Sequence, residues 1–255
     1  MTHEILTALN EPGLDHGPAA MLGRPRQIRH LAIILDGHRR WAERRGLPAI
    51  EGYRAGGRAV HALLSWCEAA GIPMVTIWSL SPENLNRNAE ELQGLLTVIV
   101  DVFAELAGSG RWRLNVIGDL ARLPPAAAER IRTAEESTTR VQGIDVNIAV
   151  AYSGRLDLVH AIRSLIEEHV AAGTVGQLAA NLDSDLIASR LYTAGLPEPD
   201  LVIRPSGEQR LSNFMLWQTA FSEFYFTPTP WPDFGRDDFD RAIEAYGKRS
   251  RRFGV

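Results

Sequence analysis

Short apolar runs alternate with longer amphipathic ones along most of the chain, a pattern that predicts a sheet flanked by helices. Strands are predicted at His30–Leu35, Met74–Ser79, Arg113–Ile117, Asp145–Ala151 and Leu201–Arg204, with another near Glu223–Phe226. Leu31–Leu35 and Val146–Val150 are apolar nearly throughout, as strands are when helices cover both sheet faces. Helices are predicted at Gly56–Ala70, Ala89–Ala107, Ala126–Thr138, Leu156–Ala172, Ser184–Leu191 and Asp237–Arg249. In Ala89–Ala107 the residues Leu92, Leu95, Leu96, Ile99, Val102, Phe103 and Leu106 recur at helical spacing. Such a stripe faces a core or lines a pocket for an apolar substrate, and periodicity alone does not separate the two.

No repeat or linker interrupts the pattern, so the 255 residues read as one α/β domain, 26–255, behind a loose N-terminal tail, 1–25. That tail lacks the basic and apolar regions of a signal peptide, and no run approaches the ~18 apolar residues of a membrane span. A net charge of -4 argues against nucleic acid as a partner. The single cysteine, Cys67, sits in an apolar helical stretch and reads as a buried structural thiol, which fits a cytoplasmic protein.

Two segments carry the chemistry. In Leu201–Asn213 an apolar strand delivers Arg204 into a turn, Arg210 follows six residues later, and Ser212 adds a hydroxyl. Guanidinium forks pair with phosphate oxygens in bidentate fashion, so this run reads as an anion cradle. Upstream, Leu31–Trp41 repeats the design: apolar strand, Asp36, Gly37, then Arg39 and Arg40. A carboxylate at a strand end faces the crevice where open α/β sheets bind ligands. Ser81-Pro-Glu-Asn-Leu-Asn-Arg87 follows another strand; Ser81 and Pro82 suit a helix start, while Asn84 and Arg87 are left unexplained by capping. Glu223, among Phe221, Phe224, Tyr225 and Phe226, needs an arginine or a metal to satisfy it. Asp36, Glu223 and a diphosphate would suit magnesium. Together these features suggest an enzyme handling two phosphorylated substrates with a divalent metal. No GxxxxGK[ST] loop, GxGxxG turn or GxSxG elbow is present.

The chain closely resembles the cis-prenyltransferases, the isoprenyl diphosphate synthase family that includes undecaprenyl diphosphate synthase. The motifs are Asp36-Gly-His-Arg-Arg-Trp-Ala42, Ser81–Arg87, Ile203–Phe214 with Leu216-Trp-Gln218, Glu223, Trp231-Pro-Asp-Phe234 and Arg252-Phe-Gly254. Ser206–Ser212 resembles the actinobacterial short-chain Z-prenyl synthases. The resemblance implies a central, mostly parallel sheet flanked by helices that enclose an apolar tunnel, a homodimer, and Mg²⁺. It implies that an allylic isoprenoid diphosphate loses diphosphate as a five-carbon isopentenyl diphosphate attacks it, giving a short cis product. Asp36 and Glu223 would serve the metal, with Gly37, Arg39, Arg40, Trp41, Tyr53 and Arg87 at the allylic site. Arg204, Arg210, Leu211 and Ser212 would hold the five-carbon diphosphate. Asn84 with Ser81 would remove the proton, beside Pro82, Glu83 and Leu85 of the same motif. Arg252 and Gly254 would complete the substrate site.

Three departures from the family pattern cluster at the allylic site: His38 for the usual Asn, Ala49 for a common arginine, and Tyr53 for the usual histidine. His38 would add a base that titrates near physiological pH beside the leaving group. That favours, as an alternative, a branched, lavandulyl-type condensation with dimethylallyl diphosphate as acceptor. A second alternative is a non-catalytic partner subunit, against which the retained Asp36, Arg40, Asn84, Arg204, Arg210, Ser212 and Glu223 argue.

Overall fold

The computed structural model describes residues 27–249. The expected tail, 1–25, and the terminal Arg252 and Gly254 lie outside the described residues. Six strands form one sheet in the order β3-β4-β2-β1-β5-β6: β1 (His30–Ile34), β2 (Met74–Trp78), β3 (Arg113–Ile117), β4 (Asp145–Ala149), β5 (Leu201–Arg204) and β6 (Glu223–Phe226). Every pairing is parallel. All six predicted strands are present, with ends shifted by at most two residues.

Alternation along these strands builds two cores. Leu31, Ile33, Val75, Ile77, Val146, Ile148, Leu201 and Ile203 join the larger one, shared with helices α2 (Ala49–Ala69), α3 (Ala89–Gly108), α4 (Pro125–Ser137) and α8 (Arg236–Gly247). Ala32, Ile34, Trp78, Ala149 and Val202 point the other way, onto Tyr152, Phe214 and Met215. Each fully buried Leu or Ile here contributes about 1.5–3 kcal/mol. With water excluded from both faces, strands that are apolar almost throughout are the sequences that fit.

The remaining helices are α1 (His38–Glu43), α5 (Gly154–Ala171), α6 (Val175–Asn181) and α7 (Ser184–Ala188). Helix α2 begins seven residues before its predicted start, because Gly52, Gly56 and Gly57 in its first turns resemble a loop composition. Their missing side chains serve packing: a Cβ on Gly52 would stand 2.3 Å from the His38 carbonyl oxygen. The Leu92–Leu106 stripe of α3 does both things expected of it. Leu95, Leu96, Ile99, Val100, Phe103 and Leu106 are buried, and Leu95, Val98, Ile99, Val102 and Phe103 of this helix also border an apolar cavity. Ser81 and Pro82 do not open α3. They start a separate 3-10 turn, Pro82–Asn86, and Asn88 caps α3 by accepting from the Glu91 amide at 2.8 Å.

The order of strands places the site. From β1 the chain moves to β2 on one side, and from β5 it moves to β6 on the other, so β1 and β5 meet at the switch point of the sheet. Ligands of open parallel sheets bind in the crevice outside the carboxyl ends of such strands. Asp36 lies two residues beyond the end of β1 and Arg204 is the last residue of β5.

Candidate active site

Asp36 and Arg204 meet at that switch point. Arg204 is 4% exposed, and its Nη2 donates to Asp36 Oδ2 at 2.9 Å. Its Nη1 donates to Ser212 Oγ at 2.8 Å and to the Arg210 carbonyl. Its Nε is buried without an acceptor among the described residues. A buried donor left unpaired is costly, so this guanidinium is built to take a further oxygen. Burial pushes the Asp36 carboxyl up, but the Arg204 bond and charge, the Ser206 hydroxyl and Arg40 together hold it below its ordinary value. Asp36 is therefore an anion at neutral pH.

Gly37 makes the turn from β1 into α1. Its φ of 101° favours glycine, and a Cβ there would stand 2.9 Å from Ser206 Cβ and 3.0 Å from Pro230 Cβ. Arg40, one turn on, donates to Ser206 Oγ at 2.9 Å and lies 3.8 Å from Asp36 Oδ1 and 3.4 Å from Glu208 Oε1. Arg210 pairs with the other oxygen of Glu208. Glu208 thus links Arg40 to Arg210, and Ser206 steadies Arg40, although no role could be assigned to either from the sequence.

The loop carrying Arg210 and Ser212 is held in an unusual shape. Ser206, Ser212, Asn213 and Met215 have φ values of 76°, 50°, 73° and 44°. Asn213 secures the shape by accepting from the Gly154 amide at 2.7 Å through its carbonyl and from the Arg155 amide at 2.9 Å through its side chain. Phe214 stacks on Trp78 with ring centroids 5.1 Å apart, pinning the loop to the sheet.

On the opposite wall, the Tyr53 hydroxyl accepts from Arg87 Nη1 at 2.6 Å and donates to Glu91 Oε1 at 2.6 Å. Arg87 also lies 3.2 Å from Glu91, and Arg39 4.0 Å. Burial and then the Glu91 bond push the Tyr53 phenol far up, so it stays protonated. Glu91 was missed in the sequence, though its i,i+4 spacing from Arg87 was a readable signal.

One open cavity of about 630 Å³ gathers these groups. It is lined by Asp36, Gly37, His38, Arg39, Arg40, Tyr53, Ser81, Glu83, Asn84, Arg87, Arg204, Glu208, Arg210 and Ser212, among others. A second, apolar cavity of about 50 Å³ reaches between sheet and helices toward Val60, Leu95, Ile99, Val102 and Phe103.

Several sequence expectations need correction. Glu223 does not line the cavity that holds Asp36. Parallel pairing sets Leu31 beside Leu201 and Leu201 beside Glu223, so Glu223 lies at the amino edge of the sheet, and its Oε2 accepts from Arg249 at 2.7 Å. His38 does not titrate near physiological pH. Burial drives its pKa down to about 4, against the pull of Asp36 and with the help of Arg87. Asn84 takes part in capping after all, because its Oδ1 accepts from the Ser81 amide at 3.1 Å. Trp41 turns from the cavity: its Nε1 donates to Asp233 at 2.6 Å and Arg45 covers its ring at 4.3 Å. Pro82, Leu85 and Leu211 do not line the cavity, and Leu85 packs on the larger core.

The family model described as "Putative undecaprenyl diphosphate synthase" matches residues 34–254. The chain belongs to this prenyltransferase family. It is 46% identical over 254 residues to a "Short-chain Z-isoprenyl diphosphate synthase" of Mycobacterium leprae, covering 98% of this chain and 96% of the relative. It is 49% identical over 230 residues to a "(2Z,6E)-farnesyl diphosphate synthase" of Mycolicibacterium smegmatis, covering 89% and 88%. Among solved structures, the lavandulyl diphosphate synthase of Lavandula x intermedia in complex with dimethylallyl diphosphate superimposes with a TM-score of 0.84. That likeness spans 90% of this chain and 99% of the other at 38% identity. The parallel sheet and its flanking helices are thus the prenyltransferase fold.

Proposed function

We propose that this prenyltransferase joins an allylic isoprenoid diphosphate to isopentenyl diphosphate, releasing diphosphate and giving a short cis-configured product. One observation carries this reading: a single cavity holds two arginine groups, Arg39–Arg40–Arg87 and Arg204–Arg210, on either side of an ionised Asp36, and shares its wall with an apolar slot.

Each element of the cavity has work in such a reaction. Breaking the allylic C–O bond sends its electron pair onto diphosphate oxygens. Preplaced guanidinium groups act where that charge develops. The π pair of the isopentenyl double bond forms the new C–C bond, and one proton leaves the adjacent carbon. Arg204, with its unpaired Nε, Arg210 and Ser212 hold the five-carbon diphosphate; Arg39, Arg40 and Arg87 hold the allylic one. Fixing both can supply ~7–11 kcal/mol of the barrier in favourable cases. Asn84 and Ser81 border the same space, where the proton departs. The apolar slot shelters hydrocarbon at about 0.8 kcal/mol per buried CH₂ and keeps water from the allylic cation.

Magnesium fits this donor set. Among the described residues no three His, Cys, Asp or Glu side chains gather as a metal nest. Magnesium needs only one or two carboxylates, completed by substrate phosphates and water. Asp36, ionised and facing the cavity, would hold it, with Glu208 nearby. Bound there, the ion would neutralise charge on the departing diphosphate. A homodimer is also part of this proposal. Val159, Ile162, Ile166 and Val170 form an exposed apolar stripe along α5, with Val170 at 60% exposure. No described helix is long and apolar enough to cross a membrane, and a cytoplasmic setting suits the buried Cys67 thiol.

The test is to supply labelled isopentenyl diphosphate with dimethylallyl, geranyl or farnesyl diphosphate and Mg²⁺, and to weigh the products. Short cis products from the purified chain support the reading. Label-free branched products from dimethylallyl diphosphate alone would replace it with the lavandulyl-type reaction. Inactivity until a second polypeptide is added would replace it with the partner-subunit role.

A further inference from the structure

The polar cavity and the apolar slot share four lining residues: Leu35, His38, Tyr53 and Ser79. These four form the boundary that hydrocarbon must pass to reach the slot. Two of them, His38 and Tyr53, are aromatic.

Both rings are fixed. Tyr53 is tied at its hydroxyl to Arg87 and Glu91. His38 lies beside it, with ring centroids 5.7 Å apart and planes tilted by 52°. The imidazole rests on the glycine face of α2, where a Cβ at position 56 would stand 2.2 Å from Nε2. With Gly56 beneath it and Tyr53 beside it, the ring has little freedom to swing aside.

The slot behind this boundary is small. An engineered cavity of about 150 Å³ accommodates one benzene ring, whereas the slot measures about 50 Å³. Longer tails therefore require the boundary and the slot to widen together.

We infer that His38 is a specificity-determining residue: with Tyr53 it narrows the neck between the diphosphate chamber and the apolar slot, restricting the enzyme to short allylic diphosphates. This rests on the prenyl-transfer reading and adds the substrate length to it. A rigid ring at the neck excludes by size, because close-packed interiors yield little without strain.

The experiment compares kcat/KM for dimethylallyl, geranyl and farnesyl diphosphates at fixed isopentenyl diphosphate, in wild type, His38→Ala and His38→Asn. Wild type should favour the shorter substrates. Both variants should raise farnesyl use relative to dimethylallyl at least tenfold, through a lower allylic KM, with longer products and an unchanged KM for isopentenyl diphosphate. A ratio that stays within twofold of wild type overturns the inference. So does an equal loss on all three substrates, or a wild type that already uses farnesyl diphosphate as well as dimethylallyl diphosphate. Calorimetric affinities of the farnesyl and dimethylallyl diphosphates read the same ratio without turnover. Absence of turnover on every substrate would defeat the prenyl-transfer reading, while those affinities still decide the neck.

Discussion

Arg204 donates from Nη2 to Asp36 Oδ2 across 2.9 Å, tying the carboxyl ends of two adjacent parallel strands together at the switch point of the sheet. The pair makes one electrostatic unit. Arg204 is almost wholly buried, and the Asp36 carboxyl is held down by it against the upward push of burial. Asp36→Ala should therefore lower kcat by about 100-fold or more, the scale at which one preorganised charge contributes. Arg204→Lys should not restore an Arg204→Ala loss, since one ammonium cannot reach Asp36, Ser212 and the Arg210 carbonyl in a single fork. With Arg204 gone, only the Ser206 hydroxyl and Arg40 oppose burial at Asp36, so the acid limb of the pH–rate profile should move to higher pH. A profile that stays in place would remove Asp36 from that limb.

Gly37→Ala should destabilise the chain by about 3 kcal/mol, combining a left-handed backbone with overpacking against neighbours. Those neighbours are Ser206 and Pro230, at 2.9 and 3.0 Å from the added carbon. Urea unfolding of the variant measures this directly. An unchanged midpoint would mean that the β1–α1 turn is looser than its contacts imply.

Much of this geometry was legible in the sequence, and the failures have physical causes. The four inner strands were readable because burial on both faces leaves short apolar runs bounded by turn residues. Asp36, Arg40, Arg204, Arg210 and Ser212 were found because each stands just past or near a strand end, where parallel sheets present their ligand groups. Glu223 was placed with them on its aromatic surroundings and on the resemblance to the family motif. Its true position depends on β6 running parallel to β5, and strand direction is not written in local pattern. The start of α2 was missed because its glycines serve contacts with α1 that no single-segment reading contains. His38 looked like a titrating base because its surroundings, Tyr53, Gly56 and Arg87, come from other elements.

Tyr53→Phe separates the hydroxyl from the ring. The hydroxyl bridges Arg87 and Glu91, so its loss should loosen Arg87 and raise the allylic KM about tenfold, the scale of a hydrogen bond to a charged group. The ring, and with it the size of the neck, stays. Preference among dimethylallyl, geranyl and farnesyl diphosphates should then be unchanged while all three bind more weakly. A shift in preference would assign the hydroxyl, not the ring, to length selection.

His30 gives stability a pH dependence that is separate from catalysis. It is fully buried in β1, with Nδ1 2.7 Å from the Pro197 carbonyl and Nε2 2.7 Å from Thr76 Oγ1. Burial pulls its pKa down from 6.5 to about 4, with Pro197 and Asp200 opposing. Above pH 6.5 the ring is neutral in both folded and unfolded chains and favours neither. As the pH falls from 6.5 toward 4, the unfolded chain takes up the proton first, so folding stability declines across that window and His30 causes no further loss below it. The full difference approaches about 3 kcal/mol. His38 adds a loss of the same sign, since its pKa is lowered in the same direction. Thermal unfolding at a series of pH values should show the decline, and His30→Gln, which keeps hydrogen-bonding capacity without a titrating ring, should flatten it. If that variant keeps the wild-type slope between pH 6.5 and 4, the acid sensitivity arises elsewhere in the fold.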